Sequence, residues 1–339
     1  MEKEKQEIIE ELLKANSFYC PEILKLYGFF GLMANEYLNT TCEYLPEKEE
    51  DENSEELIYE DMNIHETIEL VREFLKTIDV KYLNQFDKFL SDGTMEMFLP
   101  EDDLTERPDG PIATPKPFPC IYIPVENTVA DGGKIIHELF HVLNDIEDFV
   151  GVREIFTEMI SIYYELRYYQ FLKEKGYGDI HLYQEIYERI DASFDSAKDL
   201  CYSNSVLDIY ENTGNVTKKN IKFLDKYRNL YKDNKTDIID FTNSEEFEEV
   251  MNEYNDDVGY VLGTLLAFMA LKEPKIYDIK MKYINDNINY IKIEDVLNIL
   301  DVKLSDYPIW IEECVINLKK ALGEIYEEDN LYSRSDRSR

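Results

Sequence analysis

The sequence has little positive charge, few histidines and no long apolar segment. Its 339 residues include 36 Lys and Arg against 72 Asp and Glu, a formal net charge of −36. A surface this acidic repels nucleic-acid phosphates and anionic lipid head groups, so we expect no nucleic-acid and no membrane partner. The longest apolar run, residues 260–271, is well short of the roughly 20 residues that cross a bilayer.

Cysteines are also few and scattered. The five cysteines include no CxxC pair, which argues against a disulfide framework and against a thiolate zinc site. The N-terminus is charged from residue 2 and has no apolar signal core. We therefore expect a cytoplasmic protein.

Apolar residues recur mostly at helical spacing, which predicts a mostly α protein. Helices are expected over residues 5–17, 22–38, 65–78 and 80–90, and again at intervals from residue 134 onwards. A small β element is expected just before the helix that starts at residue 134.

That β element is the alternating, β-branched stretch Cys-Ile-Tyr-Ile-Pro-Val at residues 120–125. Its prolines predict an edge strand, which would be open to pairing with an extended peptide. Asp131-Gly132-Gly133 would then separate this strand from the helix that begins at Lys134.

Composition suggests how the chain divides. Residues 43–61 are dense in carboxylates and contain a single lysine, which predicts a loop or mobile linker. We predict an N-terminal helical region over residues 1–110, a domain that carries the chemistry over residues 111–330, and a disordered tail over residues 331–339.

The strongest chemical signal is the HExxH motif His137-Glu138-Leu-Phe-His141. Residues four apart lie on one helical face, so the two imidazoles can bind a single Zn²⁺. Glu138 can then act as general base toward a water and later protonate the leaving amine. Such motifs also arise by chance, but the chain has only four histidines, and apolar residues flank these two, so the motif lies on a buried helix.

A catalytic zinc needs a third protein ligand. His65 and His181 lie at the starts of other helices, where a surface histidine is the ordinary interpretation, and Glu147 is a weak alternative. A helix that begins near Val152 and folds back on the first would bring a carboxylate to the metal.

Glu154 and Glu158 are the two candidates on that helix. Glu154 falls in the first turn, where an acidic residue stabilises the helix N-terminus. Glu158 follows His141 by 17 positions and lies among apolar neighbours. We therefore predict one zinc ion bound by His137, His141 and Glu158.

The motif residues 137–141 and the pattern Glu158-x-x-Ser161-x-x-x-Glu165 resemble the oligoendopeptidase F and thimet oligopeptidase family of zinc peptidases. In that family the first Glu of this pattern is the third zinc ligand, which favours Glu158. Ser161 and Glu165 are expected to support the ligands or to pack around them.

Later segments extend the resemblance. Tyr260-x-x-Gly263-x-x-x-Ala267 is similar to a Tyr-x-x-Gly-x-x-x-Ala segment of the family, and residues 293–311 are similar to its closing helices. The resemblance covers about residues 115–325, in a chain much shorter than typical members.

The resemblance implies an α-helical fold around a deep channel, a single catalytic zinc, and cleavage of short unstructured peptides. Family members usually carry a histidine- and tyrosine-rich segment just before Tyr-x-x-Gly, whereas residues 252–259 contain no histidine. We expect Tyr260 to donate a hydrogen bond to the developing oxyanion, with Tyr254 as the alternative.

The sequence thus predicts a zinc metallopeptidase, a hydrolase whose partner is a peptide substrate. The missing histidines and the short chain motivate a second interpretation. In that interpretation, a catalytically degenerate protein of peptidase fold binds peptide or protein partners without cleaving them.

Overall fold

The computed structural model describes residues 3–19, 21–44, 61–98, 112–114, 119–143, 152–177, 180–217, 220, 237–314 and 316. These residues form a mostly α protein with a small sheet, as the sequence predicts. The helices are α1 Lys3–Tyr19, α2 Pro21–Tyr44, α3 Ile64–Ile78, α4 Val80–Asp92, α5 Ala130–Leu143, α6 Val152–Lys175, α7 Ile180–Thr213, α8 Asp237–Phe241, α9 Phe247–Asn252, α10 Tyr254–Ala270, α11 Pro274–Asp286 and α12 Ile293–Leu300. A 3₁₀ turn at Leu304–Asp306 and helical residues 307–314 follow α12.

The sheet has strands β1 Met95–Phe98, β2 Ile112–Thr114 and β3 Cys120–Pro124, in the order β1-β3-β2. The prediction of an edge strand is wrong, because β3 is central, parallel to β1 and antiparallel to β2. Pro124 is tolerated because it is the last residue of the strand. Both edges of β3 are therefore paired, and the strand does not offer an edge to a peptide.

Helix α5 begins at Ala130, four residues before the predicted start. The Asp131 carboxylate accepts hydrogen bonds from the backbone N–H groups of Glu126 and Thr128, which fixes the entry into the helix. Asp131, Gly132 and Gly133 thus form its first turn instead of a separating loop. The two glycines let the rings of two tyrosines of α6 pack directly on the α5 backbone, where a Cβ would overlap Tyr168 and Tyr169.

Helix α6 lies at the centre of the molecule. It packs against α5 on one side and against α10 and α7 on others, while α2 packs against α7. A continuous hydrophobic core joins residues from α1 through to residue 314. Among the described helices, none has both the length and the apolar composition needed to cross a membrane.

The predicted division of the chain stays a prediction. Helix α2 runs to Tyr44, so the acidic stretch 43–61 begins inside a helix, while residues 45–60 lie outside the described residues. The boundary predicted at residue 110 and the tail over residues 331–339 lie outside them as well.

Candidate metal centre

Helix α5 directs the side chains of the HExxH motif into the interior. The Nε2 atoms of His137 and His141 lie 2.9 Å apart, because one helical turn separates the two residues. His137, Glu138 and His141 are all buried, and one ligand atom from each lies within 4.8 Å of the others. No other group of three His, Cys, Asp or Glu side chains meets this spacing in the described part of the chain.

Helix α6 brings a carboxylate to the two imidazoles. Glu158 Oε1 lies 3.4 Å from His141 Nε2, and Glu158 Oε2 lies 3.6 Å from His137 Nε2. The side chain of Glu154 and all of Glu147 lie outside the described residues.

The two other histidines lie apart from this cluster. His65 is exposed near the start of α3, and His181 is buried near the start of α7. Neither belongs to the group of converging ligand atoms. Among the candidate third ligands whose side chains the structure describes, Glu158 is the one that contacts both imidazoles.

A chain of charged groups extends from His137 away from the cluster. His137 Nδ1 lies 2.9 Å from Glu165 Oε2, and Arg189 Nη2 donates a 2.8 Å hydrogen bond to Glu165 Oε1. The Arg189 Nε–H bonds Glu185 Oε1 at 2.9 Å. Ser161, one turn before Glu165, is fully buried. The sequence analysis named Glu165 but not Arg189 or Glu185. Their spacing of four residues on α7 could have indicated an ion pair between them.

Helix α10 packs against the backbone of α6 at Glu158. A Cβ at Gly263 would lie 3.0 Å from Met159 N and 3.4 Å from the carbonyl carbon of Glu158, so this glycine permits close contact with the α6 backbone. Tyr260 lies one turn earlier and is partly exposed. The hydroxyl of Tyr254 instead donates a buried hydrogen bond to Asn204 on α7, which favours Tyr260 as the residue facing the cluster.

Burial controls the protonation of the cluster. It lowers the pKa of His137 and His141 well below the usual range, so both imidazoles are neutral. Burial, followed by the charge of Glu165, raises the pKa of Glu138 to about 7. Burial and the charge of Glu138 raise the pKa of Glu158 to about 8.

The donor set fits a divalent cation. When Nδ1 of His137 carries the ring proton, it can donate that proton to Glu165, and Nε2 of the ring then carries a lone pair directed at His141 and Glu158. Glu158 Oε2 is buried and has no hydrogen bond within the described residues. Two neutral imidazoles and one carboxylate are ligands that zinc accepts, and a cation between them would offset the cost of burying them.

Comparisons with known proteins support the fold. A crystal structure of PZ peptidase A with an inhibitor matches with a TM-score of 0.52 at 13% identity, covering 94% of this chain and 58% of that one. A protein assigned as an oligoendopeptidase F from Bacillus anthracis str. Ames matches with a TM-score of 0.47 at 11% identity, covering 95% of this chain and 56% of that one. The chain therefore spans a little over half the length of these proteins. No family profile and no curated protein matches the sequence.

At this identity the likeness shows the fold alone. The chain shares its helical architecture with PZ peptidase A over nearly its whole length.

Proposed function

We propose that the chain is a zinc-dependent metallopeptidase that hydrolyses peptide bonds of short or unstructured peptides. One observation carries the proposal: the Nε2 atoms of His137 and His141 and the carboxylate of Glu158 converge, with Glu138 beside them. The fold shared with PZ peptidase A supports it. The scattered cysteines support a cytoplasmic location.

His137, His141 and Glu158 would hold one Zn²⁺. When bound, zinc supplies Lewis acidity: it lowers the pKa of a water molecule to about 7 and polarises the scissile carbonyl.

Glu138 serves as the proton carrier. Its carboxylate accepts a proton from the attacking water as the new C–O bond forms, and returns that proton to the amine nitrogen as the C–N bond breaks. In the metal-free protein its pKa of about 7 lies in the range where one group can both accept and donate a proton near neutral pH.

Tyr260 stabilises the oxygen on which negative charge develops. The charge of Glu158, followed by burial, raises the pKa of the Tyr260 phenol, so its hydroxyl keeps its proton at neutral pH. A protonated phenol can donate a hydrogen bond to that oxygen.

The test combines metal content with cleavage. We expect purified protein to contain one zinc per chain by elemental analysis and to cleave a quenched fluorescent peptide library. Glu138→Gln should keep the zinc and lose at least about a hundredfold in kcat, because general acid–base catalysis contributes 10²–10⁴-fold. Glu294→Gln, an exposed change on α12, is the matched control and should keep full activity.

Two outcomes would contradict the proposal. Wild-type protein that binds zinc but cleaves no library member would favour the binding protein of peptidase fold. Wild-type protein that binds no divalent metal would exclude both zinc-dependent interpretations.

A further inference from the structure

Arg189 is connected to the predicted metal ligand His137 through one intervening residue, Glu165. Its guanidinium bridges two buried carboxylates on different helices, with Nη2 2.8 Å from Glu165 Oε1 on α6 and Nε 2.9 Å from Glu185 Oε1 on α7. Both carboxylates are almost completely buried. The opposite oxygen of Glu165 faces His137 Nδ1 at 2.9 Å.

The sequence of α7 preorganises this bridge. Glu185 and Arg189 are four residues apart with the acid nearer the N-terminus, which is the favourable orientation for a pair on one helix. The pair therefore holds the guanidinium in place from its own helix. The Nη2 of Arg189 then points across to α6 and to Glu165.

Removing the guanidinium would change what Glu165 can do. Without Arg189, Glu165 would be left beside the neutral imidazole of His137 and the carboxyl group of Glu185, with no positive charge among these contacts, and such uncompensated burial is costly. Without that hydrogen bond the carboxylate can change its position, and it would no longer hold the Nδ1 proton of His137 in a fixed direction.

We propose that Arg189, itself held by Glu185, is a positioning residue of the metal centre: it keeps Glu165 in place as the acceptor for the Nδ1 proton of His137, and so directs His137 Nε2 at the cation. The proposal rests on the proposed zinc site. It assigns Arg189 no contact with the substrate or the metal.

The test compares two arginines that bind carboxylates through the same two nitrogens and are similarly exposed. Arg167 on α6 also uses Nε and Nη2, here to bind Asp278 at 3.1 Å each, and its side chain is 14% exposed against 23% for Arg189. No contact joins Arg167 to His137 in the described structure. Arg189→Met and Arg167→Met therefore remove the same group from similar burial, and only one of them acts on the site.

Zinc affinity is measured by competition with a chromophoric chelator, and the Co²⁺-substituted proteins are compared by electronic absorption. We expect Arg189→Met to weaken zinc binding by about tenfold or more, since loss of partners that orient metal ligands costs roughly 10–100-fold. Its Co²⁺ spectrum should change, while Arg167→Met keeps the wild-type affinity and spectrum.

Zinc affinity and a Co²⁺ spectrum unchanged in Arg189→Met would overturn the proposal, because a simple tie between α6 and α7 would lower stability alone. If Arg189→Met does not fold, Glu185→Gln takes its place, with exposed Glu211→Gln on the same helix as control. We then expect a weaker zinc affinity for Glu185→Gln only, and equal affinities would overturn the proposal. Failure of the proposed function is distinguishable, because then the wild type itself binds no zinc.

Discussion

Two networks of guanidinium and carboxylate groups involve helix α6, one of them partly buried and the other with almost completely buried carboxylates, and they differ in charge balance. In the packing network, Arg167 binds both carboxylate oxygens of Asp278 on α11 at 3.1 Å. The hydroxyl of Tyr163 donates a further hydrogen bond of 2.7 Å to the same carboxylate. One positive charge meets one negative charge, so this network is complete within the chain.

The site network has more acidic groups than basic ones among the described residues. A single guanidinium, Arg189, faces Glu165 and Glu185, and two more carboxyl groups of the cluster, Glu138 and Glu158, lie among neutral imidazoles. Burial raises the pKa of each of these four carboxyl groups. The comparison teaches that burial alone does not mark a functional site. An unbalanced set of buried acids beside converging imidazoles does, because a cation would balance it.

The largest expected effects come from changing one carboxylate in each network and comparing stability with zinc affinity. Asp278→Asn should lower the free energy of unfolding by about 3 kcal/mol, because it leaves Arg167 buried without a counter-charge. Its zinc affinity should match that of the wild type. Unfolding in urea of metal-free protein and chelator competition measure the two quantities.

Glu158→Gln should change zinc affinity and leave stability nearly unchanged, the opposite of Asp278→Asn. In metal-free protein this change removes a carboxyl group whose ionised form is disfavoured by burial. We therefore expect a free energy of unfolding within about 1 kcal/mol of the wild type. Zinc affinity should fall at least about a hundredfold, more than loss of an orienting partner costs. Equal zinc affinity in Glu158→Gln and wild type would remove Glu158 from the ligand set and return attention to Glu154.

The sequence predicted the helices well because their periodicity is local. It also predicted that His137, His141 and Glu158 converge. The two histidines need only the helical period, whereas the choice of Glu158 over Glu154 also used its apolar neighbours and the family resemblance. The starting point of α5 was missed because Asp131, inside the first turn, accepts hydrogen bonds from the backbone that precedes the helix, and the two glycines of that turn pack on Tyr168 and Tyr169.

Other features depended on contacts between distant segments. The central position of β3 follows from pairing with β1 and β2, neither of which has a strong pattern of its own. The contact of Arg189 with Glu165 could not be predicted for the same reason. It joins two helices, and the two residues are 24 positions apart in the sequence. The spacing of four residues on α7 could have indicated the pair of Arg189 with Glu185. It could not have indicated that Nη2 of Arg189 binds Glu165 on α6.

A smaller effect tests whether the site depends on helix spacing. Gly263→Ala places a Cβ 3.0 Å from Met159 N, so α10 must move a few tenths of an ångström from α6 at Glu158. We expect a loss of about 2 kcal/mol in stability, as is usual for overpacking, and weaker zinc binding because Glu158 shifts.

Thr264→Val is the matched control for that change. It disturbs the opposite contact of α10 by removing a buried 2.8 Å hydrogen bond to Ser193 on α7, at a cost of about 1 kcal/mol. Its zinc affinity should stay at the wild-type value. A Gly263→Ala protein that loses stability but binds zinc normally would show that Glu158 tolerates movement of α10.

A further prediction extends the comparison to Asp257 on α10, a buried carboxyl with no guanidinium among the groups that set its pKa. Burial, then the charge of Asp199, raises this pKa to about 8, with Glu253 and Asp256 adding to the shift and a hydrogen bond from Ser196 opposing it. Since the ordinary pKa of Asp is about 3.9, the folded state holds a proton that the unfolded state has lost.

The resulting stability is therefore fully present below pH 4 and is lost as the pH rises toward 8, by about 1.4 kcal/mol per pH unit. Asp257→Asn cannot ionise, so its free energy of unfolding relative to the wild type should rise by that slope between pH 5 and 7 and level off above pH 8. Exposed Asp240→Asn should show no such trend. Parallel pH profiles for Asp257→Asn and wild type would mean that Asp257 ionises without cost, and that burial of an acid in this fold does not require a balancing cation.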